Sequence, residues 1–167
     1  MKKTVFWSTA IAAIAALLQS TLLSHLAIFN VVPDLALGVL VYTAYVNGTM
    51  TGQLSGFSSG LALDFISAAP LGFNALMRTI IGALFGLIKG TFFLDIIILP
   101  MALTASATLL KALLAAFLHF LFAGALPAYD FFASTLWIEI GFNALSSPFL
   151  FAFLKLFKTV LLPRKAS

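Results

Sequence analysis

The chain has 167 residues, of which 62% are hydrophobic and only 8% are charged, and its mean hydropathy is +1.14. Soluble domains carry about 25% charged residues, so one small core cannot bury this much apolar surface. The apolar tracts are long and unbroken, which predicts membrane-spanning helices and excludes outer-membrane strands, a soluble enzyme and a nucleic-acid-binding domain. The absence of cysteine excludes a disulfide scaffold and any thiol or cysteine metal site.

The sequence predicts an all-α integral membrane protein with about six transmembrane helices, at residues 5–29, 34–47, 51–68, 73–90, 95–124 and 130–162. Turn-forming residues separate them, and no hydrophilic stretch intervenes, so residues 1–167 are predicted to be a single membrane domain. The second segment is short for a span, and glycine and serine dilute the third. If both are re-entrant, the chain has four spans and both ends still lie on one side.

The basic residues predict the orientation of the chain. They are concentrated at the two ends and in the loop between the fourth and fifth helices: Lys2, Lys3, Lys89, Lys155, Lys158, Arg164 and Lys165. This pattern predicts a multi-pass protein of the cytoplasmic (inner) membrane with both termini cytoplasmic. The first segment also resembles a signal peptide, but its apolar run continues to Phe29, which favours an uncleaved helix.

Two of the predicted helices carry small residues at every fourth position. The third has Gly48, Gly52, Gly56, Gly60 and Asp64, and the fourth has Asn74, Arg78, Gly82, Gly86 and Gly90. Glycine at this spacing lets helix backbones approach closely. We therefore expect these two glycine ladders to face each other and Asp64 to pair with Arg78. Contact with a substrate or with a partner protein is the alternative role of the two charges.

A second pair of charges lies in the last two predicted helices. Counted from the loop that joins these helices, Lys111 is sixteen residues away and Glu139 is twelve. At 1.5 Å per residue their depths differ by about 6 Å, which a lysine side chain can bridge. We expect an interhelical pair, with a proton or ion relay as the functional alternative.

The sequence contains no recognisable catalytic set. No serine has a histidine and an acid suitably placed, and there is no phosphate-binding loop. His25 and His119 have no third ligand at a metal-binding spacing. We therefore predict a non-enzymatic protein without a cofactor or a metal.

Three motifs carry a resemblance to a known family. They are Pro33-Asp34-Leu35, the segment 56–65 that reads GFSSGLALDF, and the segment 70–76 that reads PLGFNAL. Together they resemble the rod shape-determining protein MreD family, specifically over residues 33–90 and only generically elsewhere. Phe65 is a mild departure, because familiar members often have leucine after the aspartate.

The resemblance implies a non-enzymatic inner-membrane component of the cell-wall elongation machinery. Such proteins work with MreC, the actin-like MreB, RodA and a penicillin-binding transpeptidase, and help organise peptidoglycan synthesis. The family's fold is similar to the substrate-binding subunits of energy-coupling-factor transporters, so a vitamin-binding subunit of this kind is the alternative function. A vitamin site needs several convergent polar and aromatic groups, and the outer half of this sequence has few.

Overall fold

A computed structural model describes residues 1–21, 31–67, 69–91, 97–122 and 134–161. In these ranges the elements are α1 (Lys2–Thr21), α2 (Leu35–Asn47), α3 (Thr49–Ile66), α4 (Phe73–Leu87), α5 (Ile98–Leu121), α6 (Ser134–Leu156) and a short α7 (Lys158–Leu161). The predicted all-helical class is confirmed. By length and composition, α1, α5 and α6 are able to cross a membrane, whereas α2 and α4 are shorter apolar helices. The count of six spans stays a prediction.

The centre of the bundle is α2. Every residue from Ala36 to Tyr45 is buried, and the helix packs against α1, α3, α4, α5 and α6. A helix that is apolar all round is stable only when it is enclosed in this way. Its 13 residues give a length of about 20 Å, less than the hydrocarbon thickness of about 30 Å. The short second segment is therefore an internal element of the bundle.

The tightest helix pair is α3 with α4, and the two glycine ladders form its contact surface. A Cβ atom added at Gly52 would overlap the carbonyl oxygen of Gly82, and one added at Gly56 would overlap the carbonyl oxygen of Arg78. At the two ends, Gly60 lies against Ala75 and Gly86 lies against Thr49. The ladders face each other, as their spacing predicts, because only glycine leaves room for backbones this close.

Hydroxyl groups join α1 to α3. The Oγ atoms of Ser8 and Ser55 lie 2.7 Å apart, and the hydroxyls of Thr9 and Ser58 are also hydrogen-bonded. Thr9 follows Ser8 on α1 and Ser58 follows Ser55 on α3, an order that fits two helices running in the same direction. The inward face of α1 is otherwise made of small residues such as Ala12.

The prediction of one continuous helix over residues 130–162 is wrong. A turn at Phe157 separates α6 from α7, and α7 then packs against α1. Leu161, at the end of α7, is fully buried. Of the predicted helices, residues 22–29, 68, 95–96, 123–124, 130–133 and 162 lie outside the described part of the chain.

The outer surface of the bundle is apolar. Phe120 is 84% exposed and Phe149 is 80% exposed, and many other large apolar side chains also face outward. A water-soluble protein rarely exposes contiguous apolar patches larger than a few hundred Å². This surface is suited to contact with lipid.

Candidate functional site: a buried network of charges

The site begins at the first turn of α2. Asp34 caps this helix, because its Oδ1 atom accepts a hydrogen bond of 2.9 Å from the backbone N–H of Leu37. An aspartate at this position satisfies an otherwise unpaired amide and complements the positive end of the helix dipole. Since α2 lies at the centre of the bundle, the cap places a carboxylate inside the protein, with only 10% of its side chain exposed.

Two cations from other helices reach Asp34. Nη2 of Arg78 lies 2.9 Å from Oδ1, and Nζ of Lys111 lies 3.0 Å from Oδ2. Lys111 also binds Oε1 of Glu139 on α6. The four side chains form a continuous series, Arg78–Asp34–Lys111–Glu139, which we call the charge network. It contains two positive and two negative groups, so its formal charges cancel.

Neutral polar groups extend the charge network along α5 and α6. The backbone N–H of Asp34 donates to Oδ1 of Asn143 at 2.6 Å, and Nδ2 of Asn143 donates to Oγ1 of Thr108 at 2.8 Å. Oγ1 of Thr104 donates to the carbonyl oxygen of Pro100 at 2.8 Å and also lies 3.3 Å from the carbonyl oxygen of Asn143. A cavity of about 10 Å³ lies beside these groups, also bordered by Ser146 and Ser147. Its size is close to the least that one water molecule needs.

The charge network fixes how four parts of the bundle pack. Isolated charges in a membrane interior cost several kcal/mol each, so such residues face the bundle and pair. Only 3% of the Arg78 side chain is exposed, and its Nη1 atom has no partner among the described residues. Arg78 therefore depends on Asp34 for compensation of its charge. Removing one member of such a pair leaves the other unpaired and buried.

The predicted pair of Asp64 and Arg78 is wrong. Asp64 instead binds the start of α4, accepting hydrogen bonds from the backbone N–H groups of Gly72 and Asn74 at 2.9 Å and of Ala75 at 3.2 Å. Asn74 adds a side-chain hydrogen bond of 2.9 Å. The first amides of a helix have no partner within it, and Asp64 is the acceptor that satisfies them. Arg78 lies one turn further along α4 and binds Asp34.

The structure does bring Lys111 and Glu139 together. Both side chains are about nine-tenths buried, and their contact joins α5 to α6. The prediction did not include Asp34, which also binds Lys111. A relay of protons or ions along the charge network is not tested by this geometry.

Asp34 is the residue that sequence reasoning missed as a site. It was visible as part of the Pro33-Asp34-Leu35 motif, and an aspartate directly before an apolar run signals a helix cap. A second signal was the position of Asp64. It is one of two carboxylates in the predicted helices, but it lies close to a helix end, where backbone amides compete with Arg78 for it. What the sequence did not reveal is that α2 is enclosed on all sides, which makes its cap a buried charge.

Two histidines, Asp130 and Trp137 are further groups in the sequence with polar chemistry to offer a ligand. Among the described residues, no group of three or more His, Cys, Asp or Glu side chains is close enough to hold a metal ion. His119 lies at the end of α5, while His25 and Asp130 fall outside the described ranges. Trp137 on α6 is 61% exposed. The charge network has the arrangement of a group that holds helices together.

The comparison with known families gives one match. The model of a family described as rod shape-determining protein MreD matches residues 1–157, which is nearly the whole chain. No curated protein and no solved structure shows significant similarity to it. The likeness to substrate-binding subunits of energy-coupling-factor transporters therefore stays a prediction, and the family match does not support the vitamin-binding alternative.

Proposed function

The chain belongs to the rod shape-determining protein MreD family, and on that premise we propose that it is a non-enzymatic membrane component of the bacterial cell-wall elongation complex. The observation that carries the proposal is the family match over residues 1–157. Three helices long enough to span a membrane and an apolar outer surface support a location in the inner membrane.

The role we propose for the chain is that of a scaffold. The four members of the charge network are engaged with one another, which favours a structural use of them over a chemical one. The close backbone contact of α3 with α4 likewise favours a rigid bundle. A rigid bundle presents a fixed surface to its partners, and helps organise peptidoglycan synthesis by holding them in place.

The partner we propose first is MreC, with MreB, RodA and a penicillin-binding transpeptidase as further members of the same complex. This proposal rests on family membership. The candidates for partner contact on α3 and α4 are Asp64, Arg78 and the ladder glycines, but these residues are occupied by contacts between the two helices. Partner binding is therefore better assigned to exposed positions, and the glycines act through the shape of the bundle.

We also propose that both termini are cytoplasmic. The basic residues at both ends and at Lys89 support this orientation. The contacts of Ser8 with Ser55 and of Thr9 with Ser58 are compatible with this orientation, in which α1 and α3 both begin on the cytoplasmic side.

The test is complementation joined to co-purification. Cells depleted of their own MreD should regain rod shape when they express this chain, and MreC should co-purify with it in mild detergent. Gly82→Leu, which would overlap the backbone of α3, should abolish both results. Gly141→Leu is the matched control, because a Cβ at Gly141 meets no atom within 4 Å. A purified chain that retains a vitamin and fails to bind MreC would contradict the proposal.

A further inference from the structure

An open apolar groove lies between α1 and α3, and we call it the α1–α3 groove. Its lining includes Lys2, Phe6, Ala10, Ala13, Leu54 and Phe57, and its volume is about 550 Å³. Thr9 and Ser58 also line it, but their hydroxyls are bonded to each other. The groove therefore offers an apolar surface along most of its length.

Side-chain size explains why the groove exists. Alanine occupies two lining positions on α1, while the rings of Phe6 and Phe57 are 66% and 53% exposed and stand out from the surface. From Lys2 to Ala13 the groove follows α1 for about 16 Å. This is close to half of a hydrocarbon core of about 30 Å, which is the thickness of one leaflet.

The two ends of the groove differ in charge. Lys2 lines one end and Lys3 follows it on α1, and neither lysine makes an ion pair within the described ranges. The lining residues of α1 furthest along the helix from Lys2, Ala10 and Ala13, are apolar. A cationic end followed by an apolar channel one leaflet long complements an anionic headgroup followed by a hydrocarbon chain.

We propose that the α1–α3 groove binds one anionic phospholipid, with an acyl chain along Ala10 and Ala13 and the headgroup phosphate at Lys2 and Lys3. The exposed side chains of Lys2 and Lys3 favour a lipid over an apolar helix as occupant, because a headgroup phosphate compensates their charge. A hydrocarbon chain supplies the apolar contact that the rest of the lining offers.

Native mass spectrometry of the full chain in detergent tests this inference. The probes are phosphatidylglycerol and phosphatidylcholine with identical acyl chains. We expect one phosphatidylglycerol molecule to bind in preference to phosphatidylcholine. A basic residue near an anionic lipid surface is worth about fivefold in affinity, so Lys2→Gln and Lys3→Gln should each reduce the preference by about fivefold. Lys155→Gln on α6 is the matched control and should leave it unchanged.

A second variant tests the acyl chain separately from the headgroup. Ala10→Trp fills the groove and should remove the bound lipid, whereas Ala102→Trp, at an exposed position of α5, should not. Equal binding of the two lipids, or full lipid occupancy in Ala10→Trp, would overturn the proposal. Loss of a dimer in Ala10→Trp without loss of lipid would assign the groove to a second copy of the chain instead. The lysine variants alter exposed side chains only, so they remain informative if Ala10→Trp does not fold.

Discussion

Replacing Asp34 with asparagine is the most direct test of the charge network. Asp34→Asn keeps the size of the side chain and keeps an oxygen that can cap α2, but it removes the negative charge between Arg78 and Lys111. Lys111 retains Glu139 as a partner. Arg78 retains no carboxylate within the described residues, because its ion pair is with Asp34. The substitution therefore isolates one buried guanidinium.

The size of the effect follows from burial. Removing one partner of a buried ion pair costs about 3–5 kcal/mol. The Arg78 and Asp34 side chains are only 3% and 10% exposed, so solvent screening reduces this cost little. We expect Asp34→Asn to lower the free energy of unfolding by about 3–5 kcal/mol. Glu139→Gln should cost less, about 1–3 kcal/mol, because Lys111 still has Asp34.

The measurement is equilibrium unfolding of the purified chain in mixed micelles, run as a double-mutant cycle. Arg78→Met removes the cation while keeping much of its volume. The double variant Asp34→Asn/Arg78→Met should cost clearly less than the sum of the two single changes, because it leaves no isolated charge. A cost below about 1 kcal/mol for Asp34→Asn, or strictly additive costs, would refute the role that we assign to Asp34.

Three further predictions concern the helix packing and the topology. Gly82→Leu should destabilise the bundle by about 1–3 kcal/mol or prevent folding, since it overpacks the α3–α4 contact. Gly141→Leu should keep the wild-type unfolding curve. Equal unfolding curves for the two variants would contradict the contact between the glycine ladders. Asp64→Ala should lower the free energy of unfolding by about 2 kcal/mol, as expected for a charged cap, and its effect should add to that of Arg78→Met because the two residues do not pair. Reporter fusions at Lys89 should read cytoplasmic and those at Gly72 external; the reverse result would contradict the orientation.

The parts of the fold that were predictable depend on local pattern. Glycine at every fourth residue specifies a close helix contact wherever it occurs, so the facing of Gly52 and Gly82 was visible from spacing alone. The contact of Lys111 with Glu139 was predictable for a similar reason. Both lie at known distances from one loop, and helical rise converts residue counts into depth.

The error at Asp64 shows what a pattern leaves open. Equal depth and opposite charge made Arg78 a reasonable partner, but the amides at the start of α4 compete for the same carboxylate. The helix already holds these amides in place, so they need no ordering of a long side chain. They therefore bind the carboxylate in preference to the arginine. The true partner of Arg78 is 44 residues away in the chain. No periodicity connects the two, because their contact depends on where α2 lies in the bundle.

The charge network also constrains the order in which the protein is made. Asp34 leaves the ribosome 44 residues before Arg78 and 77 residues before Lys111. At about 5–20 residues per second, its carboxylate waits roughly 2–15 s for its cations. During this interval the carboxylate has neither of the cations that bind it in the finished bundle. We therefore expect α2 to reach its central position only when α4 and α5 join the bundle.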